Sequence, residues 1–160
     1  MIDLYTWSTP NGRKISILLE ELNVKYKVFP INIIKNEQFN DSFLKISPNN
    51  KIPAILDSEN NISMMESGAI MLYLAEKYGK FITENTAKNR ADLLSWLMFV
   101  ATGIGPYSGQ SVHFQHMAPQ KLDYAINRYL FEAERHYNIL DDRLSDNQYM
   151  LGDTYTIVDM

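Results

Sequence analysis

The spacing of apolar residues changes once along this chain, near residue 80, and that change restricts the fold to two dissimilar halves. Before it, short alternating segments trade places with segments of helical period. Ile2–Trp7 alternates as a strand, and Ser8-Thr-Pro-Asn-Gly12 is dense turn signal. Ile15, Leu18, Leu19 and Leu22 recur at helical spacing, predicting a one-faced helix over Gly12–Leu22 with Asn23 as its stop. Tyr26–Ile31 reads as a second strand, and Pro30 places it at an edge or at its own end. A short helix is expected over Glu37–Leu44. Ile52–Leu56 and Ile62–Met65 then form a hairpin, and Glu66-Ser67 opens a helix that Gly79 closes. The order βαβ, short α, ββα is a small mixed α/β layer.

From Thr86 onward only the helical period is left. Leu93, Leu94, Leu97, Met98 and Ala101 mark one long helix, which Gly103-Ile-Gly-Pro106 should bend or end. Pro119 is expected to open a second long helix running through Leu140. The division expected is an α/β domain over 1–79, a linker over 80–86 and a helical domain over 87–160. Thr156-Ile-Val-Asp159 reads as the capping box that starts a helix, with only Met160 after it. This pattern predicts a helical domain that is incomplete at its C-terminus. The many Ile and Asn read as coding bias.

Composition closes several functional classes. There is no Cys, which excludes a disulfide scaffold, a Cys-x-x-Cys pair and a cysteine nucleophile. The three His are His113, His116 and His136; His113 and His116 are three apart and could share a helical face, but no third ligand is visible to argue for a metal. A net charge of -4 gives no footprint for nucleic acid, and no Gly-rich loop signals a nucleotide. No apolar run approaches membrane-spanning length, so a cytoplasmic protein with no membrane partner is expected.

The chemistry-bearing candidates lie on loops of the first half. Thr9 and Asn11 flank Pro10 where the first helix begins, so a hydroxyl and an amide sit beside free N–H groups that favour an anion or thiolate. The same residues also read as an ordinary N-cap and turn. Glu66 and Ser67 read either as caps or as partners for an amino-acid head group, the acid for the ammonium and the hydroxyl for the carboxylate. Lys51-Ile52-Pro53 offers the Ile52 backbone to an extended peptide-like ligand if Pro53 is cis. Phe99, Tyr107 and Phe114 read as helix core or as the floor of an apolar pocket beside Asn11.

Tyr5–Asn11, Ser47-Pro-Asn-Asn-Lys-Ile-Pro-Ala-Ile55, Glu66-Ser-Gly-Ala-Ile70 and Tyr73-Leu-Ala-Glu76 together resemble the glutathione transferase superfamily. Within it they are most similar to the bacterial class with glutathione-dependent disulfide-bond reductase activity, akin to the yeast prion-type nitrogen regulator. The resemblance continues through Gly105-Pro106, His116–Pro119, Ala125–Tyr129 and Leu151-Gly152 to Thr156–Asp159. It implies an α/β thioredoxin-like N-terminal domain plus an all-α C-terminal domain, with Thr156 and Asp159 in a structural capping box. It also implies a cis Pro53, glutathione or its disulfide as cosubstrate, and a homodimer. Carried over, the Ile52 backbone holds the cysteinyl unit, Glu66 and Ser67 the γ-glutamyl end, and Gln38 and Lys51 the glycine end. Thr9 and Asn11 lie near the sulfur, and Arg128 matches an arginine that reaches the ligand's carboxylate, from its own chain or across the dimer. Tyr5 stands near the position of the catalytic hydroxyl in other classes, but its strand alternation makes it a packing residue. With no Cys in the chain, every sulfur in thiol–disulfide exchange must come from glutathione and the substrate: a small disulfide, an electrophile or a peroxide. The alternatives are a glutathione-binding or regulatory module without turnover, and an inactive fragment.

Overall fold

Ile2 and Leu4 alternate with Asp3 and Tyr5, so strand β1 (Ile2–Thr6) offers one wholly buried apolar face to whatever follows it. A computed structural model describes residues 1–160, which separate into two compact units: Met1–Lys80 with Met160, and Phe81–Asp159.

In the first unit, helix α1 (Pro10–Glu21) returns the chain to strand β2 (Tyr26–Pro30), which pairs parallel with β1. The helix starts two residues before the expected Gly12, because Pro10 with its fixed φ and missing N–H suits the first helical position. Its end is set at Asn23, which takes φ 55°. The expected Glu37–Leu44 helix is split. A 3-10 turn over Glu37–Phe39 stops at Asn40, whose extended backbone (φ -64°, ψ 136°) starts a separate one-turn helix α2 (Asp41–Leu44). Strand β3 (Ala54–Asp57) begins later than its apolar run, since Pro53 has no N–H for the ladder. It pairs antiparallel with β1 and with β4 (Ile62–Met65), giving the order β2-β1-β3-β4. Helix α3 (Ser67–Tyr78) closes on Gly79 at φ 64°.

Ile2, Leu4 and Ile55 form the core with Ile15, Leu18 and Leu19 of α1 and Ile70, Met71 and Leu74 of α3, all at most 2% exposed. On the opposite face of the sheet, Tyr5 stacks on Phe29 at 4.9 Å and meets Phe43 of α2 at 6.2 Å. The six non-glycine residues with positive φ include Asn23, Asn36, Asn50 and Asn61. Asn tolerates this conformation better than other side chains. The asparagine excess read as coding bias is therefore partly turn chemistry.

In the second unit, Thr86 caps helix α4 (Ala87–Phe99) by accepting the Asn89 N–H at 3.1 Å. The bend expected at Gly103–Pro106 takes a different form. The helix widens into a π-helical stretch over Val100–Ile104 and then continues as α5 (Gly105–His116). Widening just before Pro106 accommodates a ring that would clash with the carbonyl four residues back in a regular helix. The second correction concerns Pro119, which does not open a helix. Met117 and Ala118 both donate to the His113 carbonyl to close α5, the chain reverses over 119–122, and α6 runs from Asp123 to Ser145. Thr156 and Asp159 are joined reciprocally, the Asp159 N–H donating to the Thr156 carbonyl at 3.0 Å. The Asp159 carboxylate accepts the Thr156 N–H at 2.9 Å, and the Thr156 hydroxyl oxygen accepts the Val158 N–H at 3.3 Å. The other Asp159 oxygen accepts the Met150 N–H at 2.8 Å. The chain thus has an α/β thioredoxin-like first unit and an all-α second unit.

Candidate functional site

The register of the sheet gathers the loop candidates at one end. Thr6 pairs with Pro30, Tyr5 with Ala54, and Ala54 with Met65. The C-terminal ends of β1 and β4 therefore lie beside the N-terminal end of β3. The segment after β1 carries Thr9 and Asn11, the segment before β3 carries Lys51-Ile52-Pro53, and the residue after β4 is Glu66. Helices α1 and α3 both start at this end, so two sets of unpaired helical N–H groups arise there.

At the first helix start, Thr9 has extended backbone (φ -130°, ψ 159°), and its side-chain oxygen accepts the Gly12 N–H at 3.2 Å. The hydroxyl hydrogen is left to donate elsewhere. Gly12 is required by packing: a Cβ there would fall 2.3 Å from Thr6 Oγ1 and 2.6 Å from the Trp7 carbonyl oxygen. Asn11 is exposed in the first turn of α1.

The loop before β3 is locked from inside. Ser47 is fully buried and donates its hydroxyl to the Lys51 carbonyl at 2.8 Å, and Asn50 adopts φ 48°. The Ile52–Pro53 bond is cis, Pro53 is buried, and Lys51 is exposed. Neither polar backbone group of Ile52 is engaged within the chain.

Glu66 stands at the N-cap position of α3 but makes no side-chain capping bond. Its backbone is at φ 69°, ψ 114°, a region costly for a residue with a Cβ. Its carboxylate is exposed and accepts only from the Asn49 amide, at 3.5 Å. Ser67 is the first residue of α3. The first N–H with a helical acceptor is that of Ile70, bonded to the Glu66 carbonyl at 2.9 Å.

Other candidates lie on other elements. Gln38 lies in the turn over Glu37–Phe39, which is pinned where Glu37 accepts the Asn32 N–H, and its amide oxygen is buried without a partner. Arg128 belongs to the second unit, on α6, where its guanidinium pairs with Glu132. The Tyr5 phenol has its pKa raised by burial and by Asp3, the opposite of an activated hydroxyl. Phe99 and Tyr107 pack on His136 at 5.1 and 5.0 Å, and Phe114 stacks on Tyr129 at 5.2 Å. His136 itself is buried, with Nδ1 2.6 Å from the Glu132 carbonyl. His113 and His116 are exposed.

One cluster escapes any reading of local pattern. Asp57, the last residue of β3, is 1% exposed and receives the Tyr73 hydroxyl at 2.6 Å, Lys77 Nζ at 2.5 Å and the Asn60 amide at 3.2 Å. Burial pushes the Asp57 carboxyl up, but the bonds from Lys77, Tyr73 and the Glu59 N–H outweigh it and bring it down to about 2. Tyr73 and Lys77 lie 16 and 20 residues away in sequence, beyond any helical or strand period.

The sheet order β2-β1-β3-β4 with its flanking helices is that of a thioredoxin-like domain. Residues 4–85 match the family model for the glutathione S-transferase N-terminal domain, and the chain belongs to the glutathione S-transferase family. Disulfide-bond oxidoreductase YfcG of Escherichia coli strain K12 is 47% identical over 100% of this chain and 76% of its own length. Disulfide-bond oxidoreductase YghU of the same strain is 42% identical over 99% of this chain, which spans 58% of that relative. A crystal structure of a glutathione transferase from Pseudomonas putida, with one glutathione disulfide bound per subunit, is 38% identical at a TM-score of 0.91. That match covers 99% of this chain and 70% of the other.

Proposed function

We propose that the first unit binds glutathione and that the chain is a glutathione-dependent thiol–disulfide oxidoreductase or transferase using no protein sulfur. The observation that carries this reading is the convergence, at one end of the sheet, of two helix N-termini with the unengaged backbone of Ile52. An extended γ-glutamyl peptide needs those groups. Its α-carboxylate suits the Ser67 hydroxyl and the first N–H groups of α3, and its ammonium suits Glu66. The cysteinyl unit pairs with the Ile52 N–H and carbonyl, with Gln38 and Lys51 toward the glycine end. The glutathione sulfur faces the start of α1, where the Thr9 hydroxyl and the Asn11 amide donate to a thiolate and the helix dipole lowers its pKa. Arg128 is assigned to a ligand carboxylate. The two relatives named as disulfide-bond oxidoreductases, and the neighbour holding glutathione disulfide, support the same chemistry.

The exchange balances without a protein thiol. The glutathione thiolate attacks one sulfur of the substrate disulfide, forming a mixed disulfide and expelling a thiolate that takes up a proton. A second glutathione thiolate attacks the mixed disulfide, giving glutathione disulfide and the second substrate thiol. The same thiolate suits an electrophilic carbon or a peroxide. A homodimer is the proposed assembly and the cytoplasm the proposed location.

Calorimetric titration with reduced and oxidised glutathione, followed by a small-disulfide reduction assay, tests this reading. Glu66→Gln and Ser67→Ala should each weaken binding about tenfold, the scale of one lost charge-assisted bond. Asn11→Ala should leave binding nearly intact and cut turnover by about a hundredfold, as for a lost anion donor. Negligible effects at all three positions overturn the assignment. Wild-type binding without turnover of disulfide, electrophile or peroxide selects the binding module instead.

A further inference from the structure

The α3 N-terminus is an unusual thing to aim at a ligand, because its entry residue is strained and its cap is missing. Glu66 at φ 69°, ψ 114° contributes no side-chain capping bond to fix the first turn of α3. Strained backbone persists when the surrounding structure over-determines it. The rest of α3 must supply that constraint.

Two things hold the helix. Its buried face, Ile70, Met71 and Leu74, rests on the sheet core and on α1. The second is Asp57. Tyr73, at the middle of α3, and Lys77, near its C-terminal end, lie one turn apart, and both donate to the same oxygen of Asp57. Asp57 is the last residue of β3, and the first residues of that strand's segment are Ile52 and Pro53. Strand β3 and helix α3 are therefore tied at their far ends by one carboxylate, while their near ends carry the Ile52 backbone and Ser67. Lys77 also reaches Glu59 at 2.7 Å, and Asn60 bridges Asp57 and the Tyr73 hydroxyl, so the tie is braced through the β3–β4 turn.

We infer that Asp57 is a positioning residue: by pinning the far end of α3 to β3, it sets the separation between the Ile52 backbone and the α3 N-terminus and so tunes glutathione affinity. This inference rests on the glutathione reading above. The lever is short enough to matter. A helix of this length is about 18 Å long, so pivoting it by about 6° around its middle moves the first turn by about 1 Å. A 1 Å misplacement is a large fraction of hydrogen-bond tolerance.

The test measures glutathione Kd by calorimetry, with KM and kcat for disulfide reduction, in Asp57→Asn, Lys77→Met and Tyr73→Phe. Tyr73→Phe deletes one hydroxyl and is the variant least able to disturb folding. Asp57→Asn and Lys77→Met should each raise Kd and the KM for glutathione about tenfold, with kcat at saturating glutathione within about twofold of wild type. Tyr73→Phe should raise Kd by about two- to threefold. The double variant Asp57→Asn/Lys77→Met should be no worse than the poorer single one, because both remove the same tie. Unchanged Kd in folded Tyr73→Phe and in either ion-pair variant overturns the inference while leaving the glutathione site intact. An equal fall of kcat with no change in KM also overturns it. Wild-type protein that binds neither glutathione nor its disulfide overturns the glutathione reading and this inference together.

Discussion

Thr9 does not have to choose between capping a helix and holding a ligand. A hydroxyl accepts through its lone pairs and donates through its hydrogen, and here the accepting side is committed to the Gly12 N–H. The two roles separate in Thr9→Asp. Aspartate caps as well as threonine and favours the helix dipole, so stability should change by less than about 1 kcal/mol in denaturant unfolding. It cannot donate a proton and it carries negative charge. The thiol pKa of bound glutathione, followed by thiolate ultraviolet absorbance, should rise by about one unit or more, with turnover falling in step. An unchanged thiol pKa would reduce Thr9 to a cap. From the sequence, Thr9 at a helix start was legible but its division of labour was not, because that depends on which lone pair the Gly12 N–H meets. Glu66 is the converse case. An acid before a helix reads as a cap, and only its backbone angles reveal that the side chain is free of that duty.

At the scale of elements, the Asp57 tie has a defined pH signature. The carboxyl sits at about 2 in the folded chain against an ordinary 3.8, so the unfolded chain binds the proton more readily. A depressed folded-state value contributes stability that is complete above the unfolded value and is lost as pH falls through the folded one. The stability gap between wild type and Asp57→Asn should therefore be constant above about pH 4 and shrink between about pH 4 and about pH 2. Denaturant unfolding at several pH values in that range would show it, and a gap independent of pH would count against the ion pair. The α/β order of the first unit, the hairpin and the closing Gly79 were all legible, since each rests on a local period or a turn residue. The elements that differed were decided by neighbours. Asn40 split a helix whose apolar spacing ran through it. The reversal between α5 and α6 used up the segment that Pro119 appeared to open. The helix through Gly103 survived as a π-helical stretch, where a Cβ at Gly103 would lie 2.5 Å from the His136 ring.

For the whole molecule, the absence of cysteine separates mechanisms without any mutation. Protein treated with iodoacetamide and then freed of it should reduce disulfides in the presence of fresh glutathione as fast as untreated protein, because no alkylatable thiol lies in the chain. Intact mass spectrometry during turnover should show no protein–glutathione mixed disulfide. Inactivation by the alkylator would mean that a different nucleophile takes part. This property was read directly from composition, whereas the tie between β3 and α3 was invisible there, since its partners are brought together only by the closed sheet.

The bond from the Gly12 N–H to Thr9 bears on how the protein ages. Asn11-Gly12 is the single Asn-Gly step in the chain, and such steps lose their side-chain amide when the glycine nitrogen attacks it. That nitrogen is committed to the Thr9 oxygen inside the first turn of α1, so the attack requires the cap to open first. The same hydroxyl that starts the helix thereby sets how long Asn11 stays an asparagine.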